Sequence, residues 1–406
     1  MMPALLPLAS AQQGQPVAGY QLLRTITIPG GLAGNDISWV DSANARYYLA
    51  DRGNATASPV IGPRVDVIDT ENDAFITSIP LPSPGNGILA IPRAHELWVG
   101  LNDSTIAVID TGANSVTHIV STGGTARADE MAYDPDDRLI LIANDRDAPP
   151  FVSFVSTAAY SVVKKVSYDG TAAPQSTGGI EQAVWDGPAA KFYIAIPATA
   201  TNANGEIDEL DPQTLSVTRS IPSACKGPSG LVLIPGQRLM SACGDVIDIA
   251  SGKVVTTVSG VSGDEIWYNG GDQRVYFGGT LNVYVVDANT YALVATLVVG
   301  QAAAPPLPAQ STHSLAADDV NDQVFVAVSA AGTGSGSGVG IQVWRNGASL
   351  TAVPNPIPVT GAALVGTTTL RWTAPNAQII EVHVGSPSGA LLTHEATGDR
   401  WQPVPG

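Results

Sequence analysis

The stretch Arg127–Pro135, RADEMAYDP, sets an acidic pair, Asp129 and Glu130, directly before a short apolar strand and an Asp-Pro turn. Variants of it recur as NDISWVD from Asn35, NGILAIP from Asn86, EQAVWDG from Glu181, SGLVLIP from Ser229, DEIWYNG from Asp264 and HSLAADD from His313. With the quoted stretch that makes seven copies, spaced at intervals of roughly 35 to 52 residues, the range of propellers and solenoids.

Each copy expands into four short strands. In the second copy these are Asn86–Ile91, Glu96–Gly100, Thr105–Asp110 and Val116–Val120. Apolar–polar alternation with β-branched enrichment makes them strands rather than helices, and the Asp-Thr, Asp-Pro or Asp-Ala-Asn that follows the third strand is turn chemistry. The seventh copy lacks a fourth strand, while Gln21–Pro29 (QLLRTITIP) stands alone at the N-terminus and resembles the fourth strands FITSIPLP and ALVATLVVG. Placing it in the last blade closes the ring and removes an open sheet edge. The expectation is an all-β fold, a seven-bladed β-propeller over residues 14–350 closed by the N-terminal strand.

The VIDT phrases at Val67–Thr70 and Val108–Thr111, second strands such as LWVG, and HSLAADD near the end resemble the secreted bacterial YVTN-type, lactonase-like propeller repeat proteins. The resemblance spans about Gln21 to Arg345. It lacks a literal YVTN tetrapeptide, and the Ser229 copy reads PSG where relatives often carry a His. It implies the fold; function must be argued from the site.

Residues 351–406 change style. A stiff Pro-rich linker, Pro354–Pro358, leads into three strands, TTTLRWT, QIIEVHVG and ALLTHEA, which look like part of an immunoglobulin- or fibronectin-like module. At the other end, residues 1–13 read as the remnant of a secretory signal peptide, with Ala9-Ser10-Ala11 fitting small-x-small cleavage. Secretion or a periplasmic location follows, and with it a disulfide between Cys225 and Cys243, the chain's two cysteines, which flank one hairpin.

The 36 acidic residues against 19 basic ones give a net charge of −17. Nucleic acid and anionic membrane surfaces are therefore poor partners, and no stretch is long and apolar enough to span a bilayer. A cation or a small polar molecule suits this balance, with a protein partner at the rim as the other option.

In a propeller the first strand of each blade lines the axis, so strand starts form a ring at one mouth. Here the ring reads Asn35, Asn86, Asp129, Glu181, Ser229, Asp264 and His313, with Asp36, Glu130, Gln182 and Glu265 next to it. The expected catalytic groups are His313, Glu181, Asp264 and Glu265. The expected substrate contacts are Asn35, Asp36, Arg52, Asn86, Asn144, Arg146 and Gln182. Asp129, Glu130, Glu181, Asp264 and His313 form an oxygen-rich set for a divalent cation, with calcium, magnesium or manganese preferred over zinc. Converging carboxylates must either hold protons with raised pKa or meet a cation. The bland alternative for Arg52 and Arg146 is ion pairing with Asp51 and Asp147.

Trp39, Tyr133, Trp185 and Tyr268, four places into their strands, read as packing between blades. The Gly-rich run Ala330–Gly340 reads as a mouth loop rather than a phosphate cradle, and neither a P-loop nor a GxSxG elbow occurs. The functional expectation is metal-assisted hydrolysis or lyase-type proton abstraction on a small polar molecule. The alternative is a non-enzymatic ligand- or protein-binding scaffold, and a carbohydrate-surface role for the tail is a third option.

Overall fold

The computed structural model describes residues 19–169, 174–304 and 308–347, and beyond them the strands Ser349–Val353, Thr367–Thr373, Ile380–His383, Leu391–Glu395 and Arg400–Pro405. The signal-peptide remnant and the Pro354–Pro358 linker lie outside these residues. The chain is all-β, with 52% of residues in strands and 2% helical, and forms a seven-bladed propeller. One compact unit comprises Leu22–Asn346, and a second comprises Met1–Gln21 with Gly347–Gly406.

Each of the first six blades is a four-stranded antiparallel sheet whose strands neighbour in sequence order. In the first blade these are Asn35–Asp41, Arg46–Asp51, Arg64–Asp69 and Ala74–Pro80. The Asp that ends the third strand explains the recurring VIDT phrase. Asp69 Oδ1 accepts from the backbone N–H groups of Glu71 and Asn72, and Asp110 and Asp287 hold their turns in the same way. These bonds stabilise the ionised form, and the pKa of Asp69 and Asp287 falls even against the opposing pull of burial.

A second regularity sits in the outer strands. The pairing of third and fourth strands shifts register between Val67 and Ile68, and again at the equivalent point in the next five blades. Such a bulge leaves one outer-strand residue unpaired and increases twist. It turns Ile76, Val163, Val255 and Val294 outward, which accounts for apolar side chains that are 41–50% exposed on a solvent-facing strand. The bulged, polar outer strands are also poor templates for edge-to-edge pairing.

Apolar clusters between neighbouring blades form the core. Ile37, Tyr48, Val65 and Val67 of the first blade pack on Ile88, Leu97, Val99 and Ile109 of the second. Tyr47 stacks on Phe325 across the junction of first and last blades, with ring centroids 5.3 Å apart. There Ile26, Ile28 and Leu32 join Ile341 and Val343 in one buried cluster. Strand Tyr20–Ile26 is hydrogen-bonded beside Gly340–Asn346, so the N-terminal segment supplies the last blade's outer strand as the sequence predicts. The tail strands pair as Ser349–Val353 with Thr367–Thr373, Thr367–Thr373 with Arg400–Pro405, and Ile380–His383 with Leu391–Glu395.

Cys225 and Cys243 are joined in a disulfide across 18 residues. Beside it, Asp245 Oδ2 accepts from Ser223 Oγ and from the N–H groups of Ala224 and Cys225, fixing the same turn from the side-chain direction.

Two outcomes follow from this arrangement. Deleting the chain through Ile28 strips Ile26 and Ile28 from the closing cluster, and at about 1.5–3 kcal/mol per buried side chain it should cost roughly 3–6 kcal/mol. A thermal melt unchanged by the deletion would contradict closure. Reducing the disulfide should cost about 3 kcal/mol for a loop of this length, read as a shift of the urea midpoint in dithiothreitol, and peptide mapping without reductant should recover Cys225 linked to Cys243.

Candidate functional site

At the strand-start face of the axis, Asp36, Arg52, Arg127, Asp129, Glu130, Arg146, Glu181, Asp264 and His313 line a polar cavity of about 230 Å³. Glycines in the preceding blade let these residues approach the axis. A side chain at Gly87 would strike the Asp129 carbonyl at 1.9 Å, and one at Gly278 would meet the His313 carbonyl at 2.7 Å. Neither position needs a positive φ; what each requires is room for a neighbouring backbone.

Arg127 organises the charges. Its Nη2 lies 2.5 Å from Asp129 Oδ2, and Nε and Nη2 donate to the two carboxylate oxygens of Asp145 at 2.8 and 2.9 Å. Its Nη1 stands 3.5 Å from Asp36 Oδ2. The Asn144 side chain holds the backbone here, donating to Arg127 O at 3.2 Å as well as to Ser104 Oγ and Thr122 Oγ1. Asp36 also binds Arg52 Nη2 and accepts His313 Nε2 at 3.2 Å, and Arg52 Nη2 donates to Asn86 Oδ1 at 2.8 Å.

Burial also raises Asp129 well above the ordinary carboxyl range, with the Asp36 charge adding to it and Arg127 opposing. Burial raises Glu130 well above the ordinary carboxyl range, with Asp129 and Glu181 adding to it. Glu130 is 8% exposed, and its Oε2 has no hydrogen-bond partner. Glu181 is pushed up to about 7 by burial and by the charges of Asp264 and Asp145. Asp264 is raised by burial, with the His313 charge opposing. At His313 burial works against the imidazolium, but the hydrogen bond to Asp36 and the charges of Asp36 and Asp264 outweigh it, so its pKa rises above 6.5.

The structure thus brings together Asp36, Arg52, Asp129, Glu130, Arg146, Glu181, Asp264 and His313. It does not bring the rest. Glu265 turns away into the last blade, where Oε2 accepts from Ser314 Oγ and Leu315 N. Asn35 Nδ2 bonds the Asp36 carbonyl, and Asn86 Nδ2 bonds the Ala128 carbonyl, so both serve the backbone, although Asn86 also meets Arg52. Asn144 is buried beneath Arg127 and does not reach the cavity. Gln182 Oε1 accepts from Leu231 N, and its side chain faces a different, apolar chamber.

The expected arginine pairs also change. Asp51 pairs with Arg64, leaving Arg52 to Asp36, and Arg146 pairs with Asp145 while Asp147 accepts from Thr125.

Sequence reasoning gave Arg127 no role. The available signal was electrostatic: carboxylates gathered on an axis need a counter-charge, and Arg127 stands two residues before Asp129. All five residues of the expected metal set line this cavity. Among the described residues, one group of three ligand atoms lies within 4.8 Å of one another, Cys225, Cys243 and Asp245, and both of those sulfurs are tied up in the disulfide. Among the described residues no three ligand atoms at the mouth lie within 4.8 Å of one another, and Arg52 and Arg127 bring positive charge to Asp36 and Asp129.

Trp39, Tyr133, Trp185 and Tyr268 do pack between blades, yet they also line the apolar chamber further along the axis. No family model matches the chain, and the search of curated proteins finds no match.

The raised acid at Glu181 has a measurable consequence. Between its ordinary value of 4.5 and about 7, the folded chain keeps a proton that the unfolded chain has released. Unfolding therefore releases a proton, and this contribution to stability is lost as pH rises through that window. Glu181→Gln should melt like the parent near pH 4 and higher than the parent at pH 8, by differential scanning calorimetry at both pH values. A lower melting temperature at pH 8 would mean that Glu181 supports the backbone instead.

Proposed function

We propose that the chain is an exported propeller that takes a small polar molecule into the axial cavity and acts on it by general acid–base chemistry, as a hydrolase or a lyase. The observation that carries this reading is the pairing of Glu181, poised at about 7, with His313, raised above 6.5, in one cavity of about 230 Å³. Acid–base groups work best with pKa near the working pH, and perturbed titrating groups gathered in a cleft mark functional sites.

Arg52 and Arg146 stand at the cavity wall to orient an oxygen-bearing substrate, while Arg127 pairs with Asp129 and Asp36 beside it. In hydrolysis one titrating group activates water while the other protonates the leaving oxygen. In the lyase case the same two groups remove and return protons. Asp264, between them in charge, tunes both.

Export is supported by the small-x-small motif at Ala9–Ala11 and by the disulfide, which is at home in an oxidising compartment. The VIDT phrases and seven blades support kinship with the YVTN-type, lactonase-like propellers. A second reading, a non-enzymatic binding module, is favoured by one specific feature: Arg127 is saturated by Asp129, Asp145 and Asp36.

The test is acid release from a panel of small γ- and δ-lactones in a pH-stat. Turnover should follow a bell-shaped pH profile whose limbs reflect Glu181 and His313, and Glu181→Gln and His313→Gln should each remove one limb. Turnover unaffected by both substitutions would move the chemistry elsewhere. Saturable binding of the lactones without turnover would leave the binding module as the better reading.

A further inference from the structure

The first strands carry a second cavity along the axis. Trp39, Tyr133 and Trp267 each lie three residues beyond an acidic mouth residue, Asp36, Glu130 and Asp264, and Trp185 lies four beyond Glu181. At about 3.3 Å per residue this sets them roughly 10–13 Å further down. There they line a chamber of about 450 Å³ with Leu233 and Gln182, built from the first strands of the first six blades. No lining residue is charged.

We propose that this chamber is a binding site for a neutral, planar aromatic molecule, separate from the chemistry of the mouth. Three of the chain's seven tryptophans, Trp39, Trp185 and Trp267, expose part of their rings to it. Packing alone explains only part of this. Trp39 and Trp267 meet edge to face at 5.0 Å, and Trp185 lies 4.7 Å from Phe192, so each ring is fixed from one side and open on another.

Rings held in this way present prepaid, rigid faces for stacking, where an aromatic pair gains about 0.5–1.5 kcal/mol beyond its buried area. The volume falls within the range, about 300–1,000 Å³, of sites that enclose a small organic molecule, and the lining has the character of such sites, apolar with few polar groups. Gln182 is the amide among them. Its Oε1 accepts from Leu231 N, and no hydrogen bond from its Nε2 is found among the described residues, so the amide can donate to an acceptor on the ligand.

Those features choose the chemical class. A sugar would bring several hydroxyls to a wall that offers a single amide and the tyrosine hydroxyls. A charged molecule would lose its hydration with no counter-ion in the lining. A fused ring with one oxygen satisfies both the stacking faces and the amide donor.

The experiment uses 2-naphthol and the full chain labelled with ¹⁵N-tryptophan, the indole signals being assigned by single Trp→Phe substitutions. Titration to millimolar probe should shift the signals of Trp39, Trp185 and Trp267 along one saturable curve and leave Trp98 and Trp344 in place. Leu233→Trp, which fills the chamber with another apolar ring, should raise the Kd about two- to thirteenfold, the loss of one such ring contact.

The inference is overturned if none of the three signals moves, if all seven move together without saturation, or if folded Leu233→Trp protein binds as before. Should that variant fail to fold, the signal map on the unsubstituted chain still decides. The mouth plays no part in the readout, so lactone turnover and 2-naphthol binding stand or fall separately.

Discussion

The pairing of Tyr20–Ile26 with Gly340–Asn346 joins the two ends of the propeller, and the axial architecture depends on it. The first strand of the last blade packs against that of the first blade, and this contact places His313 beside Asp36 at 3.2 Å although the two are 277 residues apart. Closure is paid for by apolar burial: Ile26, Ile28, Tyr47 and Phe325 are all at most 5% exposed at that junction. Without it, the last blade would carry an open edge and the mouth would lose one side of its wall.

Within the closed ring, electrostatics sets the cost of the site. At ~4 Å a pair of like charges costs about 1 kcal/mol in water and about 4 at an effective dielectric near 20. The chain limits that cost in two ways. Arg127 and Arg52 neutralise the carboxylates they reach, Asp36, Asp129 and Asp145. The acids they do not contact, Glu130 and Glu181, are raised by burial and neighbouring charge, Glu181 to about 7, and burial raises Asp129 as well despite Arg127. One cluster therefore combines arginine-paired carboxyls with carboxyls whose pKa burial raises.

The fold was legible because it is written seven times. A period-two apolar pattern ending in an Asp turn cap is a local signal, and its repetition fixed the number of blades; the orphan strand Gln21–Pro29 and the incomplete last copy then specified closure. The site was legible only by position. Strand starts identified Asp129, Glu130, Glu181, Asp264 and His313 as axial, since topology alone carries them there. It could not say which of two adjacent residues enters the mouth cavity: Glu265 instead accepts from Ser314 and Leu315, Gln182 lines the chamber further along, and Asn144 proved to be a backbone brace. Arg127 was missed because its role depends on a partner, Asp145, that stands in the turn just after the second strand and is brought near only by folding. The outer-strand bulges left no sequence signature either, since Ile76, Val163 and Val255 read as ordinary buried strand residues until the register shift turns them out.

The axial strands also explain how one element can carry two unlike environments. Their first residues meet the mouth, where loops and solvent supply polar partners and charge can be offset. Three or four residues further on, the same strands lie between blades, where the neighbours are apolar and only side chains with large apolar bodies fit against them. Polar mouth and aromatic chamber are thus consecutive readings of one sheet geometry, not separate domains. Because the clusters between blades carry the stability, the residues that face the axis from either end are free of that duty, and chemistry can be placed on them at little cost to the fold.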